Sequence, residues 1–297
     1  MALADDPRGL TDRPMLLAVG GALAIAWSSI LVRLADVSPS TAAIFRCVYA
    51  LPLLGLLAWR EDRRLGGRPM RDRRLAMLAG VFFAADLICW HHSIANVGAG
   101  LATVLGNLQV FFVPLAAWAV LGEHPSRRVL AALPVVAIGV VMVSGALERG
   151  AYGENPLHGV LFGVATGVAY AGFILLLRAG SADLRRPAGP LFDATAVSAL
   201  ACIAAGLVIG DADLVPSWPA HGWLVTLALT SQVLGWMLIS TSLPRLPAAI
   251  TSVLLTIQPV GSMALGAVLL GEHPSALQIL GCAAILSGLV AVTSRGG

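Results

Sequence analysis

The chain has 297 residues, of which 58% are hydrophobic and only 12% charged; its mean hydropathy is +0.85 and its formal net charge +3. Soluble domains carry about twice that charged fraction, so too little polarity remains to cover a water-facing surface. An ordinary cytosolic enzyme, a disordered chain and a nucleic-acid binder are excluded, and a polytopic membrane protein is expected.

A bilayer core of roughly 30 Å takes about 20 apolar residues per helix. Residues 1–14 form a polar tail with Asp5, Asp6 and Asp12 and no small-residue cleavage site, so the run at 15–34 is expected as a helix and not a cleaved leader. Further runs lie at 41–59, 75–96, 99–121 and 129–147, then, after a linker at 148–157, at 158–177, 191–210, 221–243, 247–270 and 276–294. The expected fold is all-α, with ten transmembrane helices and no extramembrane domain, because the longest polar gap is 60–74. Cys47, Cys89, Cys202 and Cys282 all fall in apolar runs without metal-type spacing and read as small buried hydrophobes, so no disulfide is expected.

All nineteen basic residues are arginine, and sixteen of them fall on one side of the ten-span scheme: the N-terminal tail, the 60–74 stretch, the loops holding Arg127, Arg178 and Arg245, and the C-terminal end with Arg295. The opposite loops hold only Arg149. The positive-inside rule therefore puts both termini in the cytoplasm, in the inner (plasma) membrane of a bacterium.

LGEHPS occurs at 121–126 and again at 270–275, an offset of 149. The register extends through Ser93 and Ser242, Ala99 and Ala248, Gln109 and Gln258, and Gly139 and Gly288, and Phe45-Arg46 meets Phe192-Asp193 at an offset of 147. The reading is a duplication, with five-helix units at 15–147 and 158–297. An odd number of spans per unit inverts the second relative to the first. Two inverted units can exchange between mirror-related states about a site at their interface, the structural logic of alternating access.

Ten spans, inverted halves, a Gly-Glu pair closing spans four and nine, and Phe-Arg early in span two (AAIFRCVYAL, 42–51) resemble the drug/metabolite transporter superfamily, EamA type. The resemblance covers the whole chain and implies export of small metabolites. Size and aromatic content are most similar to the YddG-type exporters of aromatic amino acids. Asp193 departs from the Phe-Arg pattern, so the role of Arg46 does not transfer to it.

Ionisable groups inside a membrane are functional candidates by default. Arg46 is either a charge in the transport path or a snorkelling anchor or helix clamp; Asp193 is either a coupling group or a residue of the inner headgroup region. Span three carries Asp86, Trp90, His91 and His92. Asp86, Cys89 and His92 at i, i+3 and i+6 are too mixed a set on one helix to indicate a metal. In span eight, Gln232, Trp236 and Ser240 recur every four residues as one stripe, and the repeat pairs Ser240 with His91. That stripe is expected to face a central cavity, with His91 facing inward or packing between helices and His92 bonding a neighbouring helix. Asn107, Gln109 and Gln258 are substrate ligands or interhelical glue, while Pro114 and Pro259 free backbone carbonyls. Trp27, Trp90, Tyr170 and Trp236 are candidate aromatic walls; Trp59, Trp218 and Trp223 are interface anchors. Glu123 and Glu272 read as structural residues at headgroup level, with His124 and His273 facing solvent.

No H-E-x-x-H, G-x-S-x-G or P-loop is present. The expected protein is thus a secondary carrier without enzyme activity, cofactor, metal or nucleic-acid partner. Its expected partners are the lipid bilayer and a small solute, with an aromatic or neutral amino acid first. The alternatives are another metabolite or drug class, such as a nucleoside, a purine or a toxic compound, and a non-transporting structural membrane protein.

Overall fold

A computed structural model describes residues 14–121, 126–144, 147–181, 183, 185–242 and 257–293. Glu123, His124 and Arg245 lie outside the described residues. The described chain is helical throughout, running as α1 (Pro14–Ala26), α2 (Ser28–Ala35), α3 (Pro39–Leu65), α4 (Met70–Gly106), α5 (Gln109–Leu121), α6 (Arg127–Val143), α7 (Pro156–Ala179) and α8 (Ala188–Ile209). It continues as α9 (Ala220–Leu227), a π-helical segment (Ala228–Gly235), α10 (Trp236–Ser242), α11 (Ile257–Leu270) and α12 (Ala276–Thr293). Among the described residues, six continuous apolar stretches are long enough to cross a bilayer, and three shorter apolar helices accompany them.

Three of the expected spans are interrupted. The first breaks at Trp27, between α1 and α2. The eighth passes through the π-helical segment, whose wider turn shifts the side-chain register. The fourth pauses at residues 107–108 before α5. Conversely, the polar stretch 60–74 is largely helix: α3 runs to Leu65 and α4 starts at Met70.

α4 is two antiparallel legs joined at Gly98, whose φ of +84° and ψ of 171° no helix contains. A Cβ built on Gly106 would lie 3.6 Å from Trp90 Cδ1; a straight helix would separate positions 90 and 106 by about 24 Å. Glycine is required at the turn, because its φ is in the left-handed region and a Cβ would meet Glu272 Oε1 at 2.7 Å and Tyr152 Cε1 at 2.9 Å.

Carboxylates from distant segments cap helix starts that lack a capping side chain of their own. Glu61 accepts from the backbone N–H groups of Ala188 (2.9 Å) and Gly189 (2.8 Å), the first residues of α8. The start of α3 differs in having its own cap, Ser38 Oγ accepting from the Thr41 N–H at 3.3 Å; there Asp211, just beyond α8, adds a second acceptor for the Ser40 N–H (3.2 Å). Glu272 accepts from Ala99 (2.6 Å) and Gly100 (3.1 Å), where the second leg of α4 begins. Carboxylates satisfy orphan N–H donors and complement the positive end of the helix. This corrects the expected headgroup position of Glu272: it is 3% exposed, while His273 beside it is exposed. Asp193 is also buried, bound by Arg68 Nη2 at 2.7 Å and Arg73 Nε at 3.4 Å, so it fastens the start of α8 to the 66–74 segment.

Elsewhere, small residues let helices approach closely, as association in lipid requires. Ser198 Oγ on α8 donates to the carbonyl of Gly80 on α4 at 2.7 Å. Large apolar side chains such as Leu200, Leu207, Val208 and Val268 point outward, the arrangement expected of a protein whose solvent is hydrocarbon.

Candidate functional site

The helix interruptions converge on a cavity of about 60 Å³, room for a few water molecules. On α4, Phe83, Asp86, Leu87 and Trp90 line it from one helical face, the i, i+3, i+4, i+7 pattern. Ile25 and Ser28 flank the break at Trp27, and Arg46 enters from α3. The end of the second leg of α4 contributes Thr103, Gly106 and Asn107. Beyond the linker, Thr166 and Tyr170 come from α7, Trp236 from the start of α10, and Gln258 from α11. Both halves of the sequence therefore build the wall.

Arg46 is 3% exposed. Its Nε donates to Gln232 Oε1 at 3.0 Å, and Gln232 Nε2 donates to Thr195 Oγ1 at 3.2 Å. The relay ties α3 to the π-helical segment and to α8 and fixes the guanidinium plane, with its Cζ 5.7 Å from the centroid of Trp90, within cation–π range. Asp86 faces the same cavity from α4, yet no ion pair within 4.0 Å joins it to Arg46.

The aromatic wall is continuous. Phe83 stacks on Phe173 (centroids 4.3 Å apart), and Trp236 meets Phe173 edge-on at 5.0 Å and Tyr170 at 6.0 Å. Among the described residues, four buried polar atoms on cavity-lining side chains lack any hydrogen-bond partner: Ser28 Oγ, Thr166 Oγ1, Trp236 Nε1 and Gln258 Nε2. Buried polar groups are normally paired, so unsatisfied donors around one cavity point to a solute or water as their partner.

Of the residues singled out by sequence, Arg46, Asp86, Trp90, Asn107, Tyr170, Trp236 and Gln258 meet at this cavity, and Gln232 stands behind Arg46. Others lie elsewhere. Ser240 is not in the cavity wall: it lies one regular α-helical turn beyond Trp236, past the end of the lining, while the π-helical segment turns Gln232 off the line of Trp236. His91 is 1% exposed but packs beside Trp90 (centroids 5.2 Å apart) outside the lining. Gln109 is buried without reaching the cavity. Trp27, expected as an aromatic wall, is 45% exposed and points away. His92 stacks on Phe162 at 5.0 Å and lies 3.7 Å from the Asp211 carboxylate. Among the described residues, no group of three His, Cys, Asp or Glu side chains is placed to hold a metal ion.

Sequence reasoning missed a hydroxyl cluster beside the cavity. Ser29 Oγ and Ser262 Oγ are 2.5 Å apart, and Thr103 Oγ1 lies 3.1 Å from Ser262 Oγ. It joins α2, α11 and the second leg of α4. The signal available was the adjacent pair Ser28-Ser29 in the middle of an apolar run.

Comparison with known proteins gives a consistent answer. The profile of the EamA-like transporter family matches residues 13–145 and again 157–294. The chain is 27% identical over 284 residues to the Pseudopaline exporter CntI of Pseudomonas aeruginosa strain UCBPP-PA14, an alignment covering 94% of this chain and 95% of the relative. The same-named protein of strain PAO1 matches equally. A solved crystal structure superposes with a TM-score of 0.60 at 16% identity, covering 94% of this chain and 96% of the other, which shows a shared fold. With both family matches spanning its apolar helices, the chain is a multi-pass membrane protein that belongs to the EamA-like transporter family.

Proposed function

We propose that the protein is a secondary exporter of small amino-acid-like metabolites, aromatic or neutral amino acids first, working by alternating access. In this reading ten spans form two inverted five-helix units, 15–147 and 158–297, with both termini cytoplasmic in a bacterial inner membrane. The observation that carries it is the cavity: an aromatic wall, a buried guanidinium, a carboxylate and four unpartnered polar atoms, drawn from both halves of the chain. Trp90, Asn107, Tyr170, Trp236 and Gln258 are proposed to contact the solute, with Gln232 holding Arg46 in place.

The test is counterflow in proteoliposomes loaded with unlabelled solute. Labelled amino acid should accumulate transiently without chemical change, and Trp236→Ala should slow that exchange severalfold per folded molecule, with a lowered unfolding temperature because the ring also packs against Phe173 and Tyr170. Normal exchange per folded molecule in Trp236→Ala would place this ring in packing and not in the path. Reporter fusions are expected to read cytoplasmic at residues 66 and 297 and external at 153 and 215. An external signal at 66 would end the inverted arrangement, because seven arginines lie between 60 and 74.

A second reading follows from the relatives that match along nearly their whole length: a pseudopaline-like solute. Including pseudopaline in the same panel separates the two.

A further inference from the structure

We infer that Arg46 and Asp86 make the cavity selective for solutes bearing a carboxylate and an ammonium group on one molecule, rejecting analogues with either charge alone. The inference rests on the exporter reading above and adds to it which charges the solute must carry and which residues read them.

The two side chains reach the same cavity from α3 and α4, are 3% and 7% exposed, and form no ion pair with each other. Among the described residues, Arg46 makes one hydrogen bond, through Nε to Gln232, and Asp86 makes none. Two ionisable side chains therefore face one water-poor site without pairing, an arrangement in which ionising both is costly unless a ligand supplies the counter-charges. A solute with a carboxylate satisfies Arg46, and the unpartnered donors of Trp236 Nε1 and Gln258 Nε2 can share that carboxylate. Its ammonium satisfies Asp86.

An amine alone leaves Arg46 unpaired, and a carboxylate alone leaves Asp86 to be neutralised by a proton, so only a solute with both groups pairs both side chains in their charged forms. Arg46 stays oriented without the solute because Gln232 is itself anchored by Thr195. The apolar body then rests on Phe83, Tyr170 and Trp236.

Three solutes with one aromatic body test this in the counterflow assay: phenylalanine, phenethylamine (no carboxylate) and 3-phenylpropanoate (no ammonium). Leucine, alanine and two uncharged nucleosides complete the panel. Hydrogen bonds to charged groups are worth enough for about a tenfold effect or more, so an amino acid should exchange at least about tenfold faster than either singly charged analogue. Arg46→Gln should lose amino-acid exchange while gaining relative preference for phenethylamine, and Asp86→Asn should shift preference toward 3-phenylpropanoate. Because Arg46 also clamps three helices, Arg46→Lys is the control. It keeps the charge and gives up the Nε bond, and it should retain the preference for amino acids even if it lowers stability.

An amine, a carboxylate or a nucleoside exchanging as fast as any amino acid overturns the inference and leaves the exporter reading standing. So does Arg46→Lys matching Arg46→Gln in a folded state. If folded wild-type protein exchanges nothing in the panel, the amino-acid exporter reading fails and this inference falls with it.

Discussion

Gly80→Leu should yield almost no folded protein, and Gly80→Ala should already lower thermal stability measurably in detergent. The first leg of α4 crosses α8 at this point so closely that a Cβ at position 80 would run into the Ala194 carbonyl oxygen and lie 2.8 Å from Val197 Cβ. A carbonyl belonging to a regular helix cannot move aside as a flexible side-chain tip can. Overpacking ordinarily costs about 1–3 kcal/mol; alanine should fall in that range and leucine above it, since the larger side chain must part the two helices. Parting them also removes the bond from Ser198 Oγ to the Gly80 carbonyl. Gly67→Ala is the matched control, because nothing lies within 4 Å of a Cβ there. Equal unfolding temperatures for Gly80→Ala and Gly67→Ala would mean that the crossing is looser than described.

Glu272→Ala is the second large effect. It removes two charge-assisted bonds, at 2.6 and 3.1 Å, and strands two N–H donors at the buried start of a helix. Hydrogen bonds to charged groups contribute about 1.5–3 kcal/mol each, but the second of two on one carboxylate adds less, so a loss of about 2–4 kcal/mol is expected. Glu272→Gln should fall between, since an amide keeps one acceptor oxygen and loses the charge. The carboxylate links the turn between α11 and α12 to the reversal at Gly98, so its removal should also loosen that end of the bundle. Faster alkylation of a cysteine placed at Ala99 in Glu272→Ala than in the parent checks this without relying on global unfolding. Unchanged alkylation together with an unchanged unfolding temperature would show that the cap contributes little.

These residues also mark how much the sequence disclosed. Apolar run length located the described helices because a bilayer leaves no other way to satisfy the backbone, and the break between the runs 75–96 and 99–121 falls where the structure reverses, at Gly98. The depth of Arg46 in an apolar run pointed to a buried charge, and it is buried. What periodicity could not supply was the effect of breaks within helices. The stripe at 232, 236 and 240 assumes an uninterrupted α-helix, and the π-helical segment turns Gln232 off the line shared by Trp236 and Ser240. Nothing in GALAIAWSSILVR forces a break at Trp27 by the usual rules of proline or glycine, so Trp27 read as a cavity wall although it faces outward.

Long-range capping was equally invisible, because Glu272 and Ala99 are 173 positions apart. A physical clue did exist. The segment Gly98-Ala99-Gly100 opens a helix without Ser, Thr, Asp or Asn at its start, and a buried helix end of that kind must borrow its acceptor from elsewhere. Pro187-Ala188-Gly189 poses the same problem, which Glu61 solves.

The measurement that bears most directly on alternating access is counterflow in a protein whose one mouth is covalently closed. In a background with the four native cysteines replaced by alanine, Ala99→Cys and His273→Cys would place thiols on the two segments that Glu272 joins, at the mouth the inverted arrangement puts outside. A third cysteine at Ser28, in the cavity wall, reports access from the cytoplasmic side. The account predicts that bridging the pair abolishes exchange, that a reductant restores it, and that Ser28→Cys remains open to cytoplasmic labelling while the bridge is in place. Exchange at an undiminished rate through the bridged protein would contradict it, because a carrier that alternates between two mouths cannot work with one of them shut.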